Sequence, residues 1–367
     1  MRWTVVVLVL AGCAFNNNGG TAPDGGTGSG SDAGIIDPGP CTLADLGLTA
    51  GTLSGCSDAG TKDGARGTAR FSNPVNVALG VSGTAYVLDF DSSLLRKVDA
   101  QGNVTTLFRD PRFNRPFGMI MSPATGFLYV ECDDDEMANH SATSGTIWKI
   151  DPANPSTATI VASNQTRPRG LGLLSDGRLI ISDYLDMVVY TLDPATGTST
   201  LLAGTAGAVG HQDGTGTAST FNIPWDLVVT NTGDVIVSEF GSHILRRVTM
   251  AGAVTLFGGT PDVAGHQDGP LATALFNAPK GMTSDASGAI YVTEWGNHDI
   301  RKIYNGMVTT VAGTLEGGYD DNIDPMSAAF YGIEGLDISP DGTRMVLADG
   351  NDGDGTAYNH VRTLTLP

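Results

Sequence analysis

The stretch Lys280–Gly313 reads KGMTSDASGAIYVTEWGNHDIRKIYNGMVTTVAG, and it contains the whole pattern on which the fold depends. Short runs rich in β-branched and aromatic residues are separated by glycine turns, and this alternation predicts successive antiparallel strands. The run Ala289–Thr293 ends at the acidic Glu294, and a further run begins at Ile300. With the run that opens the stretch and the one after Asn305-Gly306, the pattern predicts four strands in one unit.

The same unit recurs along the chain, marked by a phenylalanine with a proline three residues later. The marker strings are Phe71-Ser72-Asn73-Pro74, Phe113-Asn114-Arg115-Pro116, Phe221-Asn222-Ile223-Pro224 and Phe276-Asn277-Ala278-Pro279. Arg167-Pro168 and Phe330-Tyr331 open two degenerate copies, which makes six units, and successive marker prolines are 42, 52, 56 and 55 residues apart. Four-stranded units with this period predict the blades of a β-propeller, because no blade can bury both of its faces alone.

The two ends of the repeat region predict how the ring closes. The sixth unit stops after Val361–Leu366, which matches a third strand, so its fourth strand is missing. The segment Leu48–Gly55 resembles fourth-strand sequences such as Thr198–Gly204. We therefore predict an all-β, six-bladed β-propeller with four antiparallel strands per blade, in which the N-terminal strand completes the last blade. This closure removes two open sheet edges.

The charge and composition exclude other classes of protein. The 20 Lys+Arg residues are outnumbered by 39 Asp+Glu residues, which gives a net charge of −19. General affinity for nucleic acid rests on lysine and arginine, so nucleic acid is excluded as a partner. The 50 glycines and 18 prolines argue against a helical bundle, because both residues are unfavourable inside helices.

The first 40 residues predict export and a lipid anchor. Residues 1–12 resemble a signal peptide, because the apolar run Trp3–Leu10 is shorter than the ~20 residues that span a bilayer. The string Leu10-Ala11-Gly12-Cys13 resembles the bacterial lipobox, which implies acylation of Cys13 and attachment to the membrane through lipid only. An ordinary secretory signal with a chance cysteine is the alternative. Residues 13–40 are expected to be a flexible tether and residues 41–367 the propeller, in a bacterial cell envelope and facing the periplasm or the outer surface.

The remaining cysteines are odd in number. We expect a disulfide between Cys41 and Cys56, which would close a loop of ~15 residues and stabilise the fold by about 3 kcal/mol in the loop-entropy model. Cys132 is then a free thiol. The acidic residues that follow it disfavour the thiolate, so a half-buried, unreactive cysteine is expected.

Two units carry a family resemblance. Ser238–Arg246 and Thr293–Arg301 resemble the acid-x-x-Asn-His-x-Ile core of NHL repeats, and the His-Gln-Asp-Gly loops resemble those of bacterial six-bladed NHL propellers. The match covers about residues 48–367. The resemblance implies a binding platform in most cases, but related propellers include calcium-dependent lactonases and a zinc-dependent amidating lyase, so the fold does not decide the function.

An acidic residue closes the second predicted strand of every unit. These residues are Asp89, Glu131, Asp183, Glu239, Glu294 and Asp349. The repeat symmetry would place them in a ring, where repulsion raises pKa values or recruits a cation. The alternative, which the sequence favours, is that each carboxylate accepts hydrogen bonds from the turn that follows it.

Long, acidic loops between blades three to six, and between six and one, lie on one arc of the ring. Blade 2 has its own insertion, Cys132–Thr146. A groove bounded by this insertion and by the acidic loops is the predicted site. The ligand-binding candidates in these loops and at the ends of the second strands are Asp63, His211, Asp213, Glu239, His266, Asp268, Glu294 and Asp321.

Two sets of residues are candidates for holding a metal. The segment that contains Asp349, Asn351, Asp352 and Asp354 offers the oxygen ligands that calcium prefers, although it departs from the EF-hand pattern. Zinc is less favoured, because His211 and His266, with Asp213 and Asp268, lack a third histidine. The remaining histidines are expected to have turn or packing roles; they are His140, His243, His298 and His360.

The sequence favours a membrane-anchored, extracytoplasmic binding platform over catalysis, and it assigns no catalytic residue. The partner could be an envelope protein, a glycan or a small molecule. The alternative is a lactonase- or lyase-like enzyme that depends on calcium or zinc. The lactonase resemblance implies a metal-binding glutamate where this chain reads Asn73-Pro74-Val75-Asn76, which leaves Asn76 or Glu334 for that role. A structural spacer in a surface complex is the third possibility.

Overall fold

The computed structural model describes residues 41, 49–80, 83–134, 139–351 and 358–366, all of them within the compact unit Pro40–Pro367. In chain order the strands are β1 (Ala50–Ser54), β2 (Pro74–Leu79), β3 (Ala85–Asp89), β4 (Leu94–Val98), β5 (Val104–Phe108), β6 (Pro116–Met121), β7 (Leu128–Cys132), β8 (Gly145–Ile150), β9 (Thr159–Gln165), β10 (Pro168–Leu173), β11 (Leu179–Asp183), β12 (Val188–Asp193), β13 (Thr198–Ala203), β14 (Gly214–Thr215), β15 (Pro224–Val229), β16 (Val235–Glu239), β17 (Ile244–Val248), β18 (Ala253–Gly258), β19 (Gly269–Pro270), β20 (Pro279–Ser284), β21 (Ile290–Glu294), β22 (Asp299–Tyr304), β23 (Met307–Ala312), β24 (Gly332–Ile338), β25 (Arg344–Gly350) and β26 (His360–Thr365). One-turn 3₁₀ helices lie at Pro155–Thr157, Gly216–Ala218 and Pro325–Ser327.

The strands form six antiparallel sheets, which are the blades of the predicted propeller. Blades 1 to 3 are β2–β5, β6–β9 and β10–β13; blades 4 and 5 are β15–β18 and β20–β23; blade 6 is β24–β26 with β1. The six-bladed, all-β prediction is confirmed. Blades 4 and 5 differ from it in one respect, because the two-residue strands β14 and β19 add a fifth strand at their outer edges.

The N-terminal strand closes the ring, as predicted. β1 pairs antiparallel with β26, with Ala50 opposite Leu364. Ala50 also exchanges both backbone hydrogen bonds with Asn322, in the loop before blade 6. The first strand of each blade contacts the first strand of the next, and β24 contacts β2 to complete the circle.

The marker residues of the repeat explain why the blades stack. The marker phenylalanines are 0–1% exposed; they are Phe71, Phe113, Phe221, Phe276 and Phe330. The hydrophobic clusters run from blade to blade, so that Phe276 packs with Val228 of blade 4 and with Met282 of its own blade. The marker prolines open the first strands, where a missing N–H group costs least.

A disulfide bond joins two cysteines on either side of β1. Cys41 and Cys56 form a disulfide with their Cα atoms 6.0 Å apart, and Cys132 is a buried free thiol. In the part of the chain that the structure describes, we find no helix with the length and apolar character needed to cross a membrane.

Candidate ligand-binding site

A buried arginine on the third strand of blades 1, 4, 5 and 6 ties the acid that ends the second strand to an aspartate of the preceding loop. In blade 4, Arg246 donates hydrogen bonds to Glu239 and Asp213, both at 2.8 Å, and to the carbonyl groups of Gln212 and Thr220. We call each such unit an arginine clasp. The four arginines have side chains that are 0% exposed; they are Arg96, Arg246, Arg301 and Arg362.

The clasps contain most of the carboxylates that the sequence offers as ligand-binding candidates. The loop members are Asp63, Asp213, Asp268 and Asp321. The strand members are Asp89, Glu239, Glu294 and Asp349, all 0% exposed. Each strand member also accepts a hydrogen bond from the backbone N–H group next to the marker phenylalanine, as Glu239 does from Asn222. The strand carboxylates are therefore buried in links between loop and blade and do not form a solvent-exposed ring.

Burial acts against the ionised form of these strand acids. It raises the pKa of Asp89 and of Glu239 to about 7, although Arg96 and Arg246 act in the opposite direction. In these two clasps the arginine therefore opposes the effect of burial and favours the ionised form of the carboxylate.

Blade 2 has neither the arginine nor the acid. In register, Cys132 pairs with Pro116 and so occupies the position of the acid, while Trp148 occupies that of the arginine. The assignment of Glu131 to the acidic ring is therefore wrong by one residue. Because neighbouring side chains point to opposite faces of a strand, Glu131 instead lies on the side of Arg169, with Oε2 at 3.5 Å from the guanidinium.

Blade 3 keeps the acid without the arginine. Tyr190 stands at the arginine position, opposite Ile181. Asp183 accepts hydrogen bonds from the N–H groups of Leu185 and Asp186, in the turn that follows it. This blade alone among the six shows the turn-capping arrangement that the sequence favours, as far as the described residues reach.

The loop histidines are not gathered into a metal site. His211 Nδ1 lies 3.6 Å from Asp262, and His266 Nε2 lies 2.9 Å from the Thr310 hydroxyl. Within the described ranges, no three His, Cys, Asp or Glu side chains are placed to hold a metal ion together. Of the calcium candidates, Asp349 belongs to a clasp and Asn351 is buried. Asp352 and Asp354 lie outside the described residues.

The other histidines connect or fill the blades. His243 Nδ1 accepts a hydrogen bond from the Ala278 N–H group of the next blade at 2.9 Å, and His298 Nδ1 lies 3.0 Å from the Tyr331 carbonyl. His360 stacks on Tyr319 with ring centroids 4.2 Å apart. These are turn and packing roles, as the sequence indicates.

Asp299 is a buried acid where the repeat has an apolar residue. It lies directly opposite Glu294 in the sheet, whereas Leu94, Val188 and Ile244 hold the same position in blades 1, 3 and 4. Its side chain is 0% exposed and lies against Glu294, and His266 Nε2 lies 3.1 Å away. Burial, and next the charge of Glu294, raise the pKa of Asp299 to about 9.

Replacing Asp299 with isoleucine is expected to stabilise the protein. Since the folded-state pKa is raised above the ordinary value of 3.8, stability is lost as the pH rises from about 4 towards 9. Asp299→Ile removes that loss, so we expect a gain on the order of 1–3 kcal/mol at pH 8 and a smaller gain at pH 5. Urea unfolding at both pH values measures it. A gain that does not grow with pH would show that Asp299 is ionised in the folded state.

The central channel is lined by the residue that follows the marker proline. In blades 1 to 6 this residue is Val75, Phe117, Arg169, Trp225, Lys280 and Glu334. Lys280 Nζ and Glu334 Oε1 form a buried ion pair at 2.6 Å. The space left among these side chains is only about 10 Å³, which is the size of one water molecule. The ring therefore plugs the channel.

A second layer of aromatic residues surrounds the plug at the face where the first strands begin. It comes from the residue that follows the acid position, and includes Phe90, Tyr184, Phe240 and Trp295. Successive rings lie close together: the distance between ring centroids is 5.7 Å for Tyr184 and Trp225, 5.4 Å for Trp225 and Phe240, and 5.8 Å for Phe240 and Trp295. The four rings connected in this way are partly exposed, and we call them the aromatic arc; they are Tyr184, Trp225, Phe240 and Trp295.

Buried cations lie against the rings of the arc. The Arg169 guanidinium lies 4.8 Å from the centroid of Tyr184, and Lys280 Nζ lies 4.9, 5.8 and 5.7 Å from the centroids of Trp225, Phe240 and Trp295. Arg169 also pairs with Asp133 at 2.5 Å. The mouth of the channel thus combines a partly exposed aromatic surface with fixed, paired charges, which is the composition typical of ligand sites.

Sequence reasoning missed this mouth. Its aromatic residues read as ordinary strand residues, whereas the loops and ionisable groups carry the more obvious functional signals. The available signal was variation at one repeat position, where the residue after the marker proline changes from valine to arginine, tryptophan, lysine and glutamate. Two residues of the insertion in blade 2 make polar contacts. Asp133 forms an ion pair with Arg169 at the mouth, and Asp134 Oδ1 lies 2.5 Å from His140 Nδ1.

A larger depression lies on the opposite face. It has a volume of about 1010 Å³ and is lined by the turns between the first and second strands of blades 2, 3 and 4. Its walls mix threonine and serine hydroxyl groups with the exposed Leu201 and Met250. It contains no cluster of buried charges like that of the mouth, so the mouth is the better candidate site.

Comparison with known proteins gives relatives of the repeat. No family model matches the chain. NHL repeat-containing protein 2 of Gallus gallus is 30% identical over 125 residues, which are 32% of this chain and 17% of that protein. Protein SUPPRESSOR OF QUENCHING 1, chloroplastic, of Arabidopsis thaliana is 23% identical over 283 residues, which are 68% of this chain and 27% of that protein. The chain thus spans about a quarter or less of the curated relatives it matches.

Solved structures with the same fold cover most of the chain. A protein of unknown function from Bacteroides thetaiotaomicron has a TM-score of 0.69 at 20% identity, over 86% of this chain and 75% of that one. An auxiliary nutrient binding protein from the same organism has a TM-score of 0.66 at 16% identity, with the same coverage. A streptogramin B lyase has a TM-score of 0.52 at 14% identity, over 81% of this chain and 94% of that one. These identities show the fold alone.

The repeat sequence agrees with the NHL repeat-containing relative, and the fold agrees with the solved structures. The chain is an NHL-type six-bladed β-propeller.

Proposed function

We propose that the chain is a binding protein that takes a small ligand at the mouth of its central channel. The observation that carries this proposal is the aromatic arc, four adjoining rings that stay partly exposed at the mouth, whereas Phe90 and Phe117 beside them are buried. Partly exposed tryptophan and tyrosine supply much contact area at little entropic cost. The auxiliary nutrient binding protein is an example of this fold in a binding role.

The charged residues of the mouth favour binding over metal-dependent catalysis. Glu334, one of two residues left for a lactonase-type metal, already has its charge paired with the Lys280 ammonium, which lies 2.6 Å from Oε1. Asn76, the other, accepts a hydrogen bond from the Val77 N–H group. The residues present therefore do not fit a metal at this place, and we derive no reaction from one.

The mouth can be tested through its own fluorescence. Of the four tryptophans, Trp3 lies in the predicted signal peptide and Trp148 is 0% exposed, so Trp225 and Trp295 report on the mouth. We expect soluble metabolites that change this fluorescence to lose at least tenfold in affinity in Trp295→Ala, which corresponds to about 1.4 kcal/mol. Binding is measured by titration of the purified full-length protein.

The matched control is Met250→Ala, a partly exposed residue of the opposite depression, which should leave the affinity unchanged. Ligands that bind equally well to wild type and Trp295→Ala, or that lose affinity in Met250→Ala, would place the site elsewhere. Turnover of a bound compound that requires added calcium or zinc would support the enzyme alternative instead.

We propose further that the protein is held in a bacterial cell envelope by lipid on Cys13, as the lipobox-like string Leu10–Cys13 suggests. Residues 1–40 lie outside the described residues, so this proposal rests on sequence. Cys13→Ser is expected to move the protein from the membrane fraction to the soluble fraction, because it removes the acylated thiol. Fractionation followed by immunoblotting measures this. A Cys13→Ser protein that stays with the membranes would refute lipid anchoring.

A further inference from the structure

We infer that the ligand of the channel mouth is a neutral oligosaccharide. This inference rests on the proposed function and adds the class of ligand. It follows from three properties of the mouth: its charges are already paired, its rings already have cations against them, and its floor is closed.

The first property excludes net attraction for an anion. Asp133 is 1% exposed and lies 2.5 Å from Arg169 and 3.5 Å from Arg167, with Arg115 at 3.9 Å. The second buried centre is the ion pair of Lys280 and Glu334. Because Arg169 and Lys280, the two cations that lie against the arc, each have a carboxylate within 2.6 Å, neither offers an unpaired charge to an anionic ligand.

The second property excludes a cation. Aromatic rings attract cations through the negative potential of their faces, but each ring of the arc has Arg169 or Lys280 within 6 Å of its centroid. A second positive charge on the outer side of the same rings would be repelled by the first across a short, poorly solvated distance. The rings therefore offer contact area without a preference for positive charge.

The third property requires a ligand that is amphipathic. The closed floor leaves room for one water molecule, so a ligand must lie flat across the arc with its other side in water. The surroundings of Arg169 are polar: Arg115, which is 37% exposed, lies 3.9 Å from Asp133, and His140, which is 48% exposed, lies 2.5 Å from Asp134. A wholly apolar ligand would desolvate these groups without replacing their hydrogen bonds.

A sugar ring has the required form. One face presents C–H groups for contact with an aromatic ring, and its edge presents hydroxyl groups that donate and accept hydrogen bonds. The arc contains four rings in a row, with successive centroids 5.7, 5.4 and 5.8 Å apart. This row is longer than one sugar ring can cover, so the arc fits an oligosaccharide better than a monosaccharide.

The test is a titration of full-length protein with matched oligosaccharides, followed by tryptophan fluorescence. The neutral set is the hexamers of glucose, xylose, mannose, galactose, fructose and N-acetylglucosamine in their common linkages. The deacetylated glucosamine hexamer has the same backbone as its N-acetyl counterpart but carries cations, and galacturonate hexamer is the anionic counterpart of the galactan. We expect at least one neutral hexamer to bind at least tenfold more tightly than either charged hexamer.

Two variants separate the mouth from other surfaces. Trp295→Ala is expected to weaken binding of the neutral hexamer at least tenfold, whereas Trp295→Phe, which keeps an aromatic face, should weaken it by less than threefold. Binding confined to charged hexamers, or unaffected by Trp295→Ala, overturns the inference. If other small molecules bind through Trp295 and no saccharide does, the inference fails and the proposed function stands; if neither binds, both fail.

Discussion

Arg246→Met is expected to lower the free energy of unfolding by about 3–5 kcal/mol, which is the usual cost of removing one partner from a buried ion pair. Arg246 is 0% exposed and pairs with Glu239, also 0% exposed, at 2.8 Å. Methionine fills similar volume but leaves the carboxylate without its counter-charge. For a domain of this size the thermal midpoint should fall by roughly 10 °C.

The pH dependence of the loss identifies its cause. Burial raises the folded-state pKa of Glu239 to about 7 even though Arg246 acts to lower it. Without the arginine this pKa rises further, so the folded variant holds a proton that the unfolded chain releases above its ordinary value near 4.5. The deficit should therefore be larger at pH 8 than at pH 5. Urea unfolding of both proteins at the two pH values measures it.

The next residue on the same strand is the matched control. Arg247 is 51% exposed and pairs with Asp234 on the surface, so Arg247→Met should cost below about 1 kcal/mol. Asp213→Asn, which alters the 55% exposed member of the same clasp, should also cost little. A deficit in Arg246→Met no greater than in Arg247→Met would show that the clasp does not stabilise the ring.

The architecture was accessible from sequence because its signals are local and repeated. Each marker proline opens a first strand, and each glycine turn ends a hairpin, so six copies of a short pattern were enough to count blades. Ring closure was also accessible, because Leu48–Gly55 reads as a fourth strand without a blade of its own.

The clasps were not recognised, because their members are far apart in sequence. Nevertheless, in three units the loop aspartate precedes its arginine by 33 residues, as Asp63 precedes Arg96. That constant interval was a usable signal. The register of blade 2 was harder, because Glu131 and Cys132 are neighbours, and only the pairing of Cys132 with Pro116 shows which of them takes the position of the acid.

Removal of the N-terminal strand is expected to have the second large effect. All five residues of β1 are buried, and Leu53 packs in one cluster with Phe71 of blade 1 and Val346 of blade 6. Loss of a buried leucine alone usually costs about 2–5 kcal/mol. A protein without residues 1–56 should therefore have a thermal midpoint lower by at least about 10 °C than one without residues 1–40.

The reason extends beyond the lost apolar contacts. Without β1, strand β26 becomes an open edge whose N–H and C=O groups can pair with another chain. Thr52 also donates a hydrogen bond to Asp321 at 3.0 Å, so the strand supports the clasp of blade 6. The shortened protein should thus bind a hydrophobic dye and self-associate, as measured by dye fluorescence and light scattering.

A point substitution separates ring closure from chain length. Leu53→Asp keeps every backbone hydrogen bond but places a carboxylate at a position that is 1% exposed and packed among apolar side chains. We expect it to reproduce most of the fall in midpoint, whereas Thr49→Ala, just before the strand, should not. A loss of 1 kcal/mol in stability lowers the midpoint by roughly 2–4 °C. If the shortened protein and Leu53→Asp both melt within about 2 °C of the protein that contains residues 41–367, the ring must be held together without β1. In that case the packing of β24 against β2 at the channel would be the contact that closes the propeller.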